Sequence, residues 1–323
     1  MSGLGWSWKE LEAYFRNSPH ELANLNPLVE LILTECPDSH IIGIGARSMV
    51  LYIAEGIAVK VALRKGDPRF LREQLLSERI DMLNCKDIAA FFFHGPDITF
   101  MELFEVTLAD RLRLDGMPRP YARWMLQLTS AVAALESIDL AHADINPLNI
   151  MVDELDQLKL IDFDHTIRIG HDLDVGFEPY VRRPLVPRRD GGLYGKASHI
   201  TEQFALGSVF WFMTRGRELY ADEGRYGKQD LLKRGVMPCL DMFEPIDIII
   251  HNCWVGHYES VAAVAKDVVA LLMDGDASEH QTQDTMDVHE RATRVFESQK
   301  SYAMIDPARS SAPFEAATFG ESA

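Results

Sequence analysis

The first part of the chain carries two different patterns of apolar residues. Across residues 1–35, leucines and aromatic residues recur at helical spacing, which predicts a helical extension divided into two helices at Asn26 and Pro27. From Ile41 the apolar residues fall in short runs punctuated by glycine and proline, and this pattern predicts a small sheet. One amphipathic stretch, residues 69–83, interrupts the strands and predicts a single helix within the sheet region.

The second part of the chain is mostly helical. Pro118 and Pro120 precede a long amphipathic helix, and the run TEQFALGSVFWFMTRG is apolar on nearly every side, which predicts a helix buried in the core. Thr201 is the expected N-cap of that helix and Gly216 its expected end. Residues 273–323 lack apolar periodicity and predict a disordered tail.

A short hairpin brings polar side chains together in the middle of the chain. Ile150–Val152 and residues 158–161 are predicted to pair across a polar turn. Because an antiparallel hairpin of this length brings its two ends together, Asp144 and Asn149 should face Asp162. Two carboxylates and a carboxamide in one place are suited to binding hard divalent cations and to orienting a hydroxyl group for attack.

The residues from His142 to Thr166 resemble the catalytic loop and metal-binding motif of the eukaryotic protein kinases. HADINPLN fits the pattern H-x-D-x-x-x-x-N, and DFD stands where the family has D-F-G. The resemblance implies that Asp144 accepts the proton of the substrate hydroxyl. It also implies that Asn149 and Asp162 hold Mg²⁺ against the phosphates of ATP.

A glycine-rich stretch near the start of the predicted sheet fits the same resemblance. Gly43, Gly45, Ser48 and Val50 follow the spacing G-x-G-x-x-S-x-V, with serine in place of the third glycine of the family. In such a hairpin the backbone N–H groups can approach phosphates closely, because glycine has no Cβ.

The next strand, GIAVKVAL, contains the A-x-K arrangement of Ala58 and Lys60. The resemblance implies that Lys60 binds the α- and β-phosphates and pairs with a glutamate on the following helix. Glu73 is preferred over Glu78 as that partner, because Glu73 continues the apolar stripe of the helix at the same helical spacing. The stripe consists of Leu76, Ile80 and Leu83.

The segment after the predicted sheet, MELF, resembles the hinge that joins the two lobes of a kinase. The resemblance makes Met101 the gatekeeper residue and has Glu102 to Phe104 offer backbone groups to adenine. The side chains of Met101 and Phe104 also suit plain core packing. The two roles are compatible, since a purine pocket is lined by apolar side chains.

Residues 167–199 are irregular and rich in glycine, proline and charge, and they lie in the position of an activation segment. They contain two arginine pairs, Arg182-Arg183 and Arg188-Arg189. In so acidic a protein, these arginines either pair with the protein's own acidic surface or form a docking site for an anionic ligand.

Two runs of the second part, Thr201–Ser208 and Cys253–Ala262, resemble a divergent group of protein-kinase-like proteins found mainly in fungi. In the kinase family an acidic residue near the start of the first of these helices anchors the catalytic loop, and Glu202 stands there where Asp is usual. The implied fold is α+β and bilobal, with a kinase-like domain over residues 36–272. A small β-sheet lobe with one main helix covers residues 36–103, and a mostly helical lobe covers residues 104–272.

Several positions depart from the family pattern. Ala143 replaces the arginine that usually pairs with an activation-loop phosphate, so loop phosphorylation is not the expected main switch. Asn146 replaces the lysine typical of Ser/Thr kinases, which leaves the choice of acceptor residue undetermined. No Ala-Pro-Glu closes the activation segment, which leaves the peptide-binding platform undetermined as well. Asp164 replaces the glycine of D-F-G and places another carboxylate beside the metal site, either as a ligand or as a group that repels phosphate.

The composition narrows the expected partners and location. The net charge is −17, from 32 basic and 49 acidic side chains, and such a surface repels nucleic acid. The four cysteines form no C-x-x-C pair, which argues against a disulfide scaffold or a zinc site. No apolar run is long enough to span a bilayer, so we expect an intracellular protein of the cytoplasm or nucleus with no membrane partner.

The favoured hypothesis is a protein kinase that uses ATP and Mg²⁺ to phosphorylate a protein Ser/Thr or Tyr hydroxyl. One alternative is a pseudokinase, a scaffold that binds nucleotide without transfer. Another is a small-molecule phosphotransferase of the aminoglycoside or choline type, which also has H-x-D-x-x-x-x-N and an acidic residue two positions after the metal aspartate. A D-x-D glycosyltransferase site fits the order of elements least well.

Overall fold

The computed structural model of the chain describes residues 5–17, 19–114, 117–183 and 192–276. The Arg188-Arg189 pair and the predicted tail beyond Asp276 lie outside the described residues. The helical part extends further than expected, because the last helix continues to Asp276 rather than ending before residue 273.

The N-terminal extension is helical, as predicted. It consists of α1 (Trp8–Tyr14), a single 3₁₀ turn (Phe15–Asn17), α2 (Pro19–Ala23) and α3 (Pro27–Glu35). The predicted break at Asn26 and Pro27 is confirmed: the Asn26 side chain caps α3 by accepting a hydrogen bond from the Leu28 N–H, and Pro27 occupies the first turn. A second break, at the 3₁₀ turn, was not predicted.

The small sheet is antiparallel and contains five strands. They are β1 (His40–Ile44), β2 (Ser48–Ala54), β3 (Ile57–Ala62), β4 (Phe91–Gly95) and β5 (Ile98–Glu102). The strand order is β1-β2-β3-β5-β4, and the predicted helix, α4 (Pro68–Asp81), connects β3 to β4. The expected combination of a small sheet and one main helix is therefore confirmed.

The alternation of side chains along the strands gives this sheet two different faces. One face packs against the N-terminal extension in a single apolar cluster: Leu11, Val29, Ile32, Ile41, Met49, Leu51, Val59 and Val61. The opposite face carries Lys60, which lies between Val50 and Thr99 on the neighbouring strands. The extension therefore covers the back of the sheet and leaves the face with Lys60 open to the rest of the protein.

Leu11→Ala is expected to lower the free energy of unfolding by about 2–4 kcal/mol, because Leu11 is fully buried in this cluster and its loss leaves a cavity. Leu31→Ala in α3 is the matched control, since Leu31 is 53% exposed. Urea unfolding of both variants measures the difference. Equal losses in the two variants would show that the extension does not stabilise the sheet.

The remaining elements form the second lobe. They are β6 (Val106–Thr107), α5 (Leu108–Arg113), α6 (Tyr121–Ser137), β7 (Leu140–Ala141), β8 (Ile150–Val152), β9 (Leu158–Leu160), β10 (Ile167–Arg168), α7 (His199–Arg215), α8 (Arg225–Arg234), α9 (Pro245–Val255) and α10 (Val261–Asp276). Strands β6, β8 and β9 form one small sheet, and β7 pairs with β10. The predicted hairpin is β8–β9, and the predicted α+β, bilobal, kinase-like architecture is confirmed.

Helix α7 is the centre of the second lobe. Every residue from Glu202 to Met213 is buried, as the apolar pattern predicted. The expected end at Gly216 is confirmed, since its φ of 71° lies in the left-handed region that glycine adopts readily. The expected N-cap was wrong: Ser198 caps the helix, and Thr201 is the third helical residue, bonded reciprocally to Ser198.

The runs Thr201–Ser208 and Cys253–Ala262 lie against each other. Gln203 on α7 donates to the Tyr258 carbonyl at 2.9 Å and accepts from the Tyr258 N–H at 3.3 Å. The indole N–H of Trp254 donates to the Ser208 hydroxyl at 3.3 Å. A Cβ at Gly207 would lie 2.8 Å from the Cβ of Cys253, so only glycine allows α7 and α9 to approach this closely.

Within the described residues, none of the helices combines the length and apolar character that crossing a membrane requires.

Candidate active site

Lys60 is held by carboxylates from both lobes. Its ammonium group lies 2.5 Å from Oε1 of Glu73 on α4 and 2.5 Å from Oδ1 of Asp164, which follows β9. The Lys60 side chain is 12% exposed and the Asp164 side chain 39%, so the cluster borders solvent on the Asp164 side. Of the two glutamates considered for Lys60, the structure places Glu73 there, whereas Glu78 is exposed on the far side of the helix, near His94.

Burial and the neighbouring charges together set the pKa values of the groups in this cluster. Burial would lower the pKa of Lys60, but the charges of Glu73, Asp164 and Asp162 raise it overall, so Lys60 remains a cation. Burial raises the pKa of Glu73 to about 7, with a contribution from the nearby charge of Asp164. Burial would also raise the pKa of Asp164, but Lys60 and a hydrogen bond with Glu73 lower it. The Asp164 carboxylate is therefore charged near neutral pH.

Glu202 holds the backbone of the loop at His142 and Ala143. Its carboxylate accepts hydrogen bonds from the His142 N–H at 2.7 Å and the Ala143 N–H at 3.3 Å. Ala143 has a φ of 65°, a left-handed conformation that non-glycine residues rarely adopt and that needs such support. Burial raises the pKa of Glu202 to about 7, although the two N–H donors act in the opposite direction.

His142 joins the two ends of the hairpin. Its Nε2 lies 3.0 Å from the Ile161 carbonyl, and its Nδ1 accepts from the Asp144 N–H at 3.3 Å. These partners define one neutral tautomer, with the proton on Nε2. Complete burial lowers the pKa of His142 to about 4, so the ring is uncharged at physiological pH. Its ring also packs edge-on against Phe163, with centroids 5.4 Å apart.

Asp144 is oriented by two amide side chains. Nδ2 of Asn149 donates to Oδ2 of Asp144 at 2.8 Å and to its carbonyl at 2.9 Å. Asn146, which stands where many kinases have lysine, donates to the same carbonyl at 3.0 Å. Burial raises the pKa of Asp144, and the hydrogen bond from Asn149 partly offsets this. The structure thus brings Asp144 and Asn149 together and fixes the direction of the carboxylate.

Asp162 lies at the far end of the hairpin. Its φ of 64° places it in the left-handed region, at the turn that follows β9. Burial and the charge of Asp164 raise its pKa, while Lys60 lowers it. The Ile161 N–H donates to the Asn149 carbonyl at 3.0 Å, so the two ends of the hairpin do meet.

The side chains of this site supply some, but not all, of the ligands that a Mg²⁺ ion takes. In the portion of the chain that the structure describes, no three His, Cys, Asp or Glu side chains converge closely enough to hold a metal ion alone. Asn149 and Asp162 both carry the oxygen ligands that Mg²⁺ prefers, and this metal commonly takes one or two carboxylates together with substrate phosphates. The residues present therefore fit Mg²⁺ held jointly with a nucleotide.

The two glycines of the hairpin β1–β2 have different surroundings. The Gly45 N–H donates to the Ser48 carbonyl at 2.8 Å and closes the turn. Gly43 does not have a positive φ, and a Cβ built on it would meet nothing nearer than the Val50 Cβ at 4.0 Å. The local fold therefore does not require glycine at position 43, and the missing side chain leaves room for close approach of a ligand to the backbone.

The predicted hinge is partly engaged in the sheet. Met101 pairs with Ala58, which is fully buried in β3. The N–H groups of Glu102 and Leu103 already donate to backbone carbonyls, at 2.9 and 3.0 Å. Among the described residues the Phe104 N–H has no backbone partner, unlike the N–H groups of Glu102 and Leu103.

The described part of the activation segment is docked onto the second lobe. Tyr180 is 2% exposed, and its hydroxyl donates to Oε1 of Glu218 at 3.1 Å. Arg182 stacks over the Phe204 ring at 5.0 Å, and Arg183 lies 3.7 Å from Oε1 of Glu178. The first arginine pair thus contacts the protein itself. No local pattern signals the anchoring role of Tyr180, because one tyrosine in an irregular segment does not reveal what it contacts.

A small hollow lies between Asp144 and this segment. Its lining includes Ala143, Asp144, Phe177 and Thr201, and its volume is about 10 Å³, which is room for roughly one water molecule. Ligand pockets that enclose small molecules measure about 300–1,000 Å³. This hollow is therefore too small to enclose a small-molecule ligand.

No protein-family model matches the chain. Over 120 residues it is 30% identical to Cyclin-dependent kinase F-1 of Oryza sativa subsp. japonica, covering 33% of this chain and 25% of that protein. Over 111 residues it is 28% identical to Dual specificity protein kinase zak2 of Dictyostelium discoideum, covering 34% of this chain and 17% of that protein. The matched part spans a quarter or less of either relative. The chain is thus similar to protein kinases in general, and the predicted likeness to a mainly fungal group stays a prediction.

Proposed function

We propose that the protein is a protein kinase that transfers the γ-phosphate of ATP, with Mg²⁺, to a serine, threonine or tyrosine hydroxyl of another protein. The observation that carries the proposal is the convergence on Lys60 of Glu73 from the first lobe and the Asp162–Asp164 turn from the second. A lysine fixed in this way between two lobes is suited to holding phosphates, since it remains cationic and its position is set.

The residues around the cleft can be assigned to ATP and Mg²⁺ as follows. Lys60 would hold the α- and β-phosphates, and Asn149 and Asp162 would bind Mg²⁺, with Asp164 as a further carboxylate nearby. The backbone of the β1–β2 turn would cover the phosphates, and the Phe104 N–H would face adenine. The apolar lining of the purine site would come from Val50, Ala58 and Met101. When bound, the metal neutralises charge that builds up on the phosphates.

Asp144 is the proposed general base. The acceptor hydroxyl forms a new bond to the γ-phosphorus while the bond between that phosphorus and the β-phosphate oxygen breaks, and ADP leaves. The proton of the hydroxyl passes to the Asp144 carboxylate, which Asn149 orients. Burial has raised the pKa of Asp144, which makes it a better proton acceptor than an exposed aspartate.

A protein acceptor fits the surroundings of Asp144 better than a small molecule. The hollow beside Asp144 holds only about 10 Å³, and the docked activation segment presents Phe177 at its edge. Phe177 is 47% exposed and offers an apolar surface on which an extended peptide could lie. The two named relatives are a cyclin-dependent kinase and a dual specificity protein kinase.

The test is transfer of label from γ-labelled ATP with Mg²⁺ to a generic protein acceptor such as casein, compared with kanamycin and choline as small acceptors. Label on protein is the expected result. Label on a small acceptor alone would instead assign a small-molecule phosphotransferase. Saturable nucleotide binding with no transfer to any acceptor would assign a pseudokinase.

Lys60→Met is expected to lower kcat/KM for ATP by roughly 100-fold, because it removes the charged group that positions the phosphates. Lys196→Met is the control, since Lys196 also pairs with an aspartate, Asp172, at 2.6 Å but on the exposed activation segment. Steady-state kinetics against ATP measure both variants. Unchanged turnover in Lys60→Met would remove Lys60 from the nucleotide site.

A further inference from the structure

Asp164 occupies an N–H donor of Lys60 that a phosphate would need. The ammonium of Lys60 has three N–H donors, and two of its neighbours are carboxylate oxygens at 2.5 Å, from Glu73 and Asp164. The contact with Glu73 comes from the same lobe and the contact with Asp164 from the opposite lobe. Asp164 is the more exposed of the two carboxylates, at 39% against 21% for Glu73, so it lies on the solvent side of the cluster.

The backbone holds Asp164 in this position. Phe163 is 4% exposed in the core of the second lobe and contacts the rings of both Phe91 and His142. Asp162 makes the left-handed turn just before it. Asp164 itself does not have a positive φ, so an aspartate is tolerated here without the strain that would demand glycine. The side chain is therefore directed to Lys60 by a fixed turn.

A nucleotide phosphate and the Asp164 carboxylate cannot both approach Lys60 without repelling each other. The cluster already contains the acidic side chains Glu73, Asp162 and Asp164 around a single lysine. An added phosphate would increase the negative charge, and in a partly buried cleft the repulsion is screened less than in water. A divalent cation relieves this repulsion, because it offers Asp164 a positive partner in place of Lys60.

We propose that Asp164 is an affinity-determining residue that occupies Lys60 in the nucleotide-free protein and gives it up to phosphate only when a divalent cation is present. This inference rests on the proposed function, since it concerns the nucleotide site. Its consequence is a stronger dependence of nucleotide binding on the cation than charge neutralisation of the phosphates alone would produce. The cation also takes the place of Lys60 as the partner of Asp164. Asp164 thus couples the two ligands of the site before any chemistry takes place.

The test measures the dissociation constant of ADP by titration calorimetry, in excess EDTA and in excess Mg²⁺, for the wild type and for Asp164→Asn. Asparagine keeps the size of the side chain and removes its charge. We expect Asp164→Asn to tighten binding in EDTA by about tenfold, since one repelling charge is gone. In Mg²⁺ the change should be smaller. The ratio of the dissociation constant in EDTA to that in Mg²⁺ should therefore be lower for Asp164→Asn than for the wild type.

Asp172→Asn is the matched control, because Asp172 also pairs with a lysine, at 2.6 Å, but outside the cleft. The dissociation constant of ADP for Asp172→Asn should equal that of the wild type both in EDTA and in Mg²⁺. Thermal unfolding of each variant confirms that it is folded.

Two results would overturn the inference while nucleotide binding itself persists. Weaker binding of Asp164→Asn in Mg²⁺ with no change in EDTA would make Asp164 a simple metal ligand. Unchanged binding in both conditions would make its contact with Lys60 irrelevant to the nucleotide.

If neither the wild type nor the variant binds ADP with or without Mg²⁺, this inference and the nucleotide site fail together. Binding that follows the expected pattern without any phosphate transfer would sustain this inference and overturn only the kinase activity.

Discussion

Asp144→Asn is expected to lower the rate of phosphate transfer by about 10³-fold while leaving the affinity for ATP within about twofold of the wild type. Asparagine has nearly the same shape as aspartate but cannot accept the proton of the acceptor hydroxyl. Asp144 is not in contact with Lys60, so its replacement does not remove a phosphate ligand. Single-turnover transfer and calorimetric binding of ATP measure the two quantities separately.

The control for this prediction is Asp222→Asn, since the Asp222 side chain is 85% exposed and pairs with Arg217 on the surface. That variant should transfer phosphate at the wild-type rate. A loss of ATP affinity in Asp144→Asn, in place of a loss of rate, would mean that Asp144 binds the nucleotide and that the base lies elsewhere. Asn149→Ala should then be compared, because Asn149 both orients Asp144 and is a proposed magnesium ligand.

Glu202→Ala is expected to lower the free energy of unfolding by about 2–4 kcal/mol and to inactivate the protein. The substitution leaves the N–H groups of His142 and Ala143 without an acceptor in a fully buried site. It also removes the support for the left-handed backbone of Ala143. Urea unfolding gives the stability, and the transfer assay gives the activity.

Glu202→Asp separates the two effects. Aspartate keeps the carboxylate but is one methylene shorter, so it should retain part of the stability and part of the activity. Equal behaviour of the aspartate and alanine variants would show that the side-chain volume of Glu202 matters and its hydrogen bonds do not.

Glu202 also predicts a dependence of stability on pH. Its pKa is about 7 in the folded protein against 4.5 for an ordinary glutamate, so the folded state holds the proton more tightly than the unfolded chain. The stabilisation that comes from this proton is present in full below about pH 4.5 and is lost as the pH rises through about 7. The stability of the wild type relative to Glu202→Gln should therefore decline between pH 5 and pH 8. A difference that stays constant over this range would contradict the raised pKa.

The sequence by itself determined the elements whose pattern is local. The period of the apolar residues located α4, α6 and α7, and the break at Asn26 and Pro27 followed from turn chemistry. The spacing of Asp144, Asn149 and Asp162 around one short hairpin was enough to predict that the ends of the hairpin meet, because a hairpin leaves its strands no other arrangement.

Tertiary structure alone decided which distant groups touch. Asp164 lies 104 positions from Lys60 in the chain, and nothing in the local pattern shows that its carboxylate bonds to that lysine. Ser198 rather than Thr201 caps α7, because both residues suit a cap and only the path of the preceding segment selects one. The contact between Gln203 and Tyr258 likewise depends on how α7 and α9 pack. Local pattern determines periodicity and turns, whereas contacts between distant residues arise only when the elements pack against one another in the folded chain.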